Sequence, residues 1–252
     1  MIPEDLDQID RHIRTLRSGI PDRVGYRIIS ALDHLRRAYP LLNFDREMAS
    51  FRAITGEEEA ATALMLAIAH RNYPHSNLFN IRNHRHKAIF IALVMAMKGR
   101  VGSVALRNLT LVFNFDKSRV DLRIPLSNFG VSGGEDYFLQ PTEPLDTVHT
   151  EPDAEGNEWL HNLLGSFSQA LQTSDILKLV TKFANSRNTI LYASDTTLPR
   201  SQANLESIQQ RHWITVTLLI LTIMVLQTRK HQALVCDATT TCLQILRLEP
   251  DR

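Results

Sequence analysis

Between positions 82 and 87 the chain reads Arg-Asn-His-Arg-His-Lys, five basic or titratable side chains around a single asparagine. Asn83 has the side chain of an N-cap, so the spacing predicts that a helix starts here with His84, Arg85, His86 and Lys87 in its first turn. Cations at that end oppose the helix dipole by about 0.3 to 1 kcal/mol each when exposed. Two arrangements relieve the conflict. A bound anion would meet free N–H groups, the dipole and several positive side chains at once, which is the chemistry of a phosphate or nucleic-acid backbone site. Alternatively, acidic side chains from elsewhere in the fold neutralise the turn. On the first reading Arg82, His84, Arg85 and Lys87 grip the anion, and Arg107, Lys117, Arg119 and Arg123 add positive charge.

Other chemistries have weaker support. Glu57, Glu58 and Glu59 with His84 and His86 offer metal-ligand types. An antiparallel helical hairpin over 51–99 would hold those groups at opposite ends, the glutamates near Lys98 and Arg100 and the histidines with His70 and His75. His84 and His86, two apart, diverge on a helix and cannot share one ion. Asp121-x-Arg123 resembles a fragment of the acid-x-lysine pair of metal-dependent nucleases, but an arginine does not serve as a readily deprotonated base. Ser194, Asp195 and His212 supply the types of a hydrolase triad without a glycine-flanked nucleophile turn. Gly133 and Gly134 lack the following Lys and Ser/Thr of a phosphate-binding loop and read as a turn. No cofactor is expected, and Cys236 and Cys242, the only cysteines, read as small core residues of a reduced, cytoplasmic chain.

The elements that must position these groups follow from periodicity. Leu6, Ile9, Ile13 and Leu16 mark a first helix with Pro3 at its first position, and Ile28, Leu32, Leu35 and Tyr39 a second that ends before Pro40. Their arginines, among them Arg11, Arg14, Arg36 and Arg37, match the local acids in number and read as a solvated face. Thr55 with Glu58 forms a capping-box pattern, predicting a helix start there with three glutamates in its first turn. Residues 109–126 alternate apolar and polar around Asp116, Lys117 and Ser118, a β-hairpin. Residues 127–158 form a Gly- and Pro-bearing acidic loop, with Phe129, Tyr137 and Phe138 able to pin it to the body.

Beyond it, Leu160, Leu163, Leu164, Phe167 and Leu171 stripe one helix. Ser174 caps another carrying Ile176, Leu177, Val180 and Phe183, and residues 188–194 suggest a short strand joining the hairpin sheet, with a frayed helix end as the alternative. The apolar run from Trp213 to Leu226 is fourteen residues, short of the ~20 that span a bilayer. It reads as a core helix within 212–231, with Arg211, Thr215, Thr222 and Arg229 as a polar edge and no membrane partner. A last helix surrounds Thr241 to Leu248.

The whole, residues 1–252, reads as one predominantly α-helical α+β domain of six or seven helices with a small antiparallel sheet in the middle. Net charge is +1, but residues 71–126 hold ten Lys or Arg against two acids, and residues 127–158 hold eight acids and no Lys or Arg. That segregation implies a basic surface followed by an acidic segment that covers it or docks a protein. The expected function is polyanion binding without catalysis, with nucleic acid or a phosphate ligand as partner. An adaptor subunit of a protein complex is the alternative, and a metal-dependent hydrolase or nuclease the third. Helix faces rich in alanine and leucine suit a core or a homo-oligomer surface equally.

Overall fold

The computed structural model describes residues 2–101, 110–129, 136–145, 174–192 and 203–248. Among them are seven helices and a three-stranded antiparallel sheet, a mostly helical α+β fold as expected. The helices are α1 (Glu4–Leu16), α2 (Asp22–Leu41), α3 (Arg46–His70), α4 (His84–Val101), α5 (Ser174–Leu191), α6 (Leu205–Leu226) and α7 (Ala233–Leu246). The strands are β1 (Thr110–Asn114), β2 (Arg119–Pro125) and β3 (Phe138–Leu139).

Helix α3 is the hub, packed against α2, α4, α5 and α6. It is longer than its sequence pattern predicts. Asp45, not Thr55, is the N-cap, its side chain accepting from the Met48 amide at 2.8 Å. Thr55 lies inside the helix and donates back to the Phe51 carbonyl at 2.8 Å. The triple glutamate is therefore mid-helix, where the dipole does nothing for it, and its charges need other partners. Gly56, one residue earlier, allows α2 to approach: a Cβ there would sit 3.1 Å from the Ala31 carbonyl oxygen and 3.2 Å from Leu35 Cγ. The helix ends in a Schellman arrangement, with Asn72 at φ 55° and the Tyr73 amide donating to the Ile68 carbonyl at 3.2 Å. Pro74 follows the end rather than causing it.

The N-terminal helices form, but Pro3 is the N-cap of α1 rather than its first helical residue, and α2 runs through Pro40 to Leu41. Their arginines cross-link rather than merely face solvent. Arg14 reaches Asp33 at 2.7 Å, and Arg36 reaches Asp7 at 2.8 Å.

Helix α6 is a core helix, beginning seven residues before His212 with a capping box between Asn204 and Ser207. It is long and apolar enough to cross a membrane, and two thirds of its most apolar window is buried inside the fold. The expected polar edge is not one: Thr215 and Thr222 are fully buried, and Thr222 returns its hydroxyl to the Leu218 carbonyl at 2.8 Å. Arg229 lies beyond the helix end.

Two glutamines at the end of α6 fasten the rest. Gln227 receives the Val120 amide and donates to the Val120 carbonyl, both at 3.0 Å, so one side chain satisfies a strand residue as a neighbouring strand would. Gln232, fully buried, accepts from the Leu145 amide at 2.9 Å and donates to the Met224 carbonyl at 3.0 Å.

The hairpin expected at 109–126 is present, with Asn114 opposite Arg119 and Ser118 at φ 48° closing the turn. Tyr137 and Phe138 tie part of the segment after β2 to the sheet through the backbone, the Tyr137 carbonyl accepting the Leu126 amide at 2.9 Å and Phe138 pairing with Pro125, while their rings stay 66% and 45% exposed. The strand expected at 188–194 is not formed over Asn188–Leu191, which continue α5. Cys242 is buried within α7, where burial pushes its thiol pKa up, and Cys236 is partly buried. Arg107, Ser194, Asp195, the stripe from Leu160 to Leu171 and most of the acidic 127–158 segment lie outside the described residues.

Candidate functional site

Successive residues on a helix advance by 100°, so three consecutive glutamates must face three directions. On α3 each direction holds a different helix. Glu57 pairs with Arg211 of α6. Glu58 receives His84 Nδ1 of α4 at 2.7 Å, with Lys87 Nζ 3.9 Å from its other oxygen. Glu59 accepts from Arg27 of α2 through both oxygens, at 2.9 and 2.8 Å. One turn of the hub thereby ties α2, α4 and α6 together.

This arrangement overturns the expected separation of the glutamates from the histidines. Residues 71–83 run back along α3 instead of turning tightly, so α4 begins beside Glu58, about 18 Å along the helix from His70 at 1.5 Å per residue. His70 and His75 are exposed, and His84 pairs with Glu58 rather than at the His70 end of α3. Asn83 does cap α4, its side chain accepting from the Arg85 amide at 2.9 Å. The conflict between cations and dipole is relieved in part by the second route: the buried Glu58 carboxylate stands where an external anion would otherwise be needed for His84 and Lys87.

The two histidines of the turn diverge as their spacing requires. His84 meets Glu58, whereas His86 is buried and its Nδ1 accepts the Asn80 amide at 3.0 Å, with the Phe79 ring edge-on beside it. Burial, with the Arg85 charge adding to it, lowers the His86 pKa. Burial also pushes the Glu57 carboxyl up to about 7, although Arg211 draws it down.

The remaining expected site residues fall into two groups. Arg82 and Arg85 are exposed beside the start of α4, with no ion-pair partner among the described residues. Arg119, Asp121 and Arg123 alternate along β2 on one face of the strand, away from Val120 and Ile124. There Asp121 is buried and pairs with Arg119, not with Arg123. Arg123 and Lys117 are exposed. The hairpin hangs on Gln227, while Arg211 on the same helix is level with the glutamates. Those anchors lie about 24 Å apart along α6. The expected cations thus form two separate clusters.

Sequence reading missed a second polar assembly. His212, fully buried, sits between Asp10 and Tyr39, with Nε2 at 2.9 Å from Asp10 Oδ1 and Nδ1 at 2.9 Å from the Tyr39 hydroxyl. Burial, then the nearby Asp10 charge, raises the Tyr39 pKa, which keeps its hydroxyl protonated. Arg36 approaches the other Asp10 oxygen at 3.9 Å. The only available signal was the placement of Asp10 and Tyr39 on apolar helix stripes, which does not say which polar residue meets which. Among the described residues no group of three or more His, Cys, Asp or Glu is placed to hold a metal ion.

No family model, no curated protein and no solved structure matches this chain.

Proposed function

We propose that the chain is a non-catalytic binding protein that captures a polyanion, a nucleic-acid backbone or a phosphate-bearing ligand, at the start of α4. The observation that carries this reading is the division of labour in one turn. Glu58 engages His84 and Lys87, which hold the helix in place, and Arg82 and Arg85 remain exposed on either side of the capping Asn83 with the helix dipole behind them. Lys117 and Arg123 on the hairpin would make a second, separate contact with a long ligand. A nucleic acid spans such a gap easily, at ~3.4 Å per nucleotide step.

Fluorescence anisotropy with labelled single- and double-stranded DNA and RNA at two salt concentrations tests the reading. Arg82→Ala with Arg85→Ala is the informative variant, because both side chains are exposed and their loss leaves the fold intact. Affinity should fall at least about fivefold, and for duplex the slope of log affinity against log salt should flatten by roughly two units. Unchanged affinity and an unchanged slope would remove the proposal.

A second reading, an adaptor subunit in a protein complex, is favoured by a different observation. Tyr137, Phe138 and Leu139, in and beside the two-residue strand β3, are 66%, 45% and 42% exposed, and large exposed apolar side chains on an edge strand are where another chain docks. A stable protein partner together with no nucleic-acid affinity at moderate salt would favour it.

A further inference from the structure

We propose that the start of α4 is a two-histidine clasp, held by His84 on the Glu58 carboxylate and by neutral His86 on the Asn80 amide, and that it opens on acidification through His86. The two rings lie in one helical turn but make contacts with opposite proton requirements. His84, 43% exposed at its side chain, points Nδ1 at the buried Glu58 carboxylate at 2.7 Å. A protonated ring there makes a charge-assisted hydrogen bond, and a neutral ring makes at best an ordinary one. His86 is the reverse. Its Nδ1 accepts the Asn80 main-chain amide at 3.0 Å, and a proton on that nitrogen turns an acceptor into a donor facing a donor. The amide then loses its partner, and the loop before α4 loses its tie to the helix.

The charges around the clasp reinforce this asymmetry. His84 faces Glu58 from α3, with Lys87 of its own helix at the other carboxylate oxygen. The adjacent Glu57 is engaged by Arg211 of α6. Among the described residues His86 faces no carboxylate: the loop gives it the Asn80 amide and the edge of Phe79, and its neighbour Arg85 carries a like charge. On α5 and α7, which also pack on α4, the described Lys178, Lys182 and Asp237 are exposed. A proton on His86 would add another cation to a helix start that already holds His84, Arg85 and Lys87, against the dipole. Burial and the Arg85 charge accordingly lower the His86 pKa, so the ring resists protonation until the solution is acidic. The clasp does not depend on what binds at Arg82 and Arg85, although both residues ride on it.

Amide hydrogen exchange on the full chain, corrected for the intrinsic pH dependence of exchange, reads the clasp at Asn80 and in the first turn of α4. Asn80 protection should fall about tenfold or more on acidification below the ordinary histidine range, while the core of α3 stays protected. In His86→Asn, whose side-chain oxygen can accept the same amide without titrating, that acid step should vanish. In His84→Asn the acid step should remain. An acid step of equal size in His86→Asn, or no pH dependence at Asn80 in the wild type, would overturn the proposal. Should the variants fail to fold, the wild-type imidazole nitrogen shifts decide. Protonation of His86 Nδ1 over the pH range in which Asn80 loses protection supports the clasp, and protonation over a separate range refutes it.

Discussion

Replacing His212 with alanine should cost about 3 to 5 kcal/mol of folding free energy and lower the midpoint of thermal unfolding by roughly 10 °C. The imidazole satisfies two buried groups on two other helices, the Asp10 carboxylate of α1 and the Tyr39 hydroxyl of α2. With the ring neutral, Nε2–H donates to Asp10 and Nδ1 accepts from Tyr39, and both hydrogen bonds close without solvent. Truncation removes both at once. It leaves a cavity and a carboxylate with zero exposure whose remaining cation, Arg36, stands 3.9 Å from the far oxygen. Tyr39→Phe should cost only about 1 to 2 kcal/mol, because it orphans one ring nitrogen and leaves the ion in place. Denaturant melts of the two variants check the pair of values. A loss below about 1 kcal/mol in His212→Ala would mean that the three side chains are not one network.

The second large effect concerns pH. Burial raises the Glu57 carboxyl from its ordinary value to about 7 in the fold, with Arg211 acting against that rise and Glu58 adding to it. A group whose folded pKa is raised contributes stability in full below its unfolded pKa and loses it as pH climbs through the folded one. Glu57 should therefore make the protein less stable by about 2 to 3 kcal/mol at about pH 8.5 than at about pH 5. His34 and His86 act in the opposite direction. Burial lowers both pKa values first, with Arg52 assisting at His34 and Arg85 at His86. Their contribution is present above the ordinary histidine range and lost as pH falls below it. Stability should accordingly peak at mildly acidic pH. In Glu57→Gln the alkaline decline should flatten while the acid decline persists. An alkaline decline of the same size in that variant would assign it to another group.

The helices and the hairpin were legible because their stripes and turn residues are local. The start of α3 was not. Thr55 and Glu58 have the spacing of a capping box, yet Asp45 caps the helix ten residues earlier, and the intervening Met48, Ala49 and Ala53 continue it without a strong apolar stripe. That displacement misplaced the glutamates. Counted from Thr55, they are the acidic first turn of a helix whose far end meets the histidines; counted from Arg46, they are its middle. The path of residues 71–83 decides which histidine they meet, and a loop that doubles back is a tertiary event with no local signature. The strand expected at 188–194 failed for a related reason: the β-branched Thr189 and Ile190 have weak preferences, which the growing α5 overrides at no packing cost. The cation-rich start of α4, by contrast, was visible because it breaks a local rule. Two ways of satisfying it were foreseeable, and the structure uses the buried carboxylate for His84 and Lys87.

The arrangement at the centre of the fold, Glu58 holding the start of α4, is open to one direct measurement. A double-mutant cycle of Glu58→Gln and His84→Asn, followed by denaturant unfolding near pH 6, isolates the coupling between the two side chains. His84 is partly solvated, so the coupling should be about 1 kcal/mol rather than the larger value of a fully buried pair. A coupling indistinguishable from zero would contradict the arrangement, and would leave the cations of α4 without their internal counter-charge.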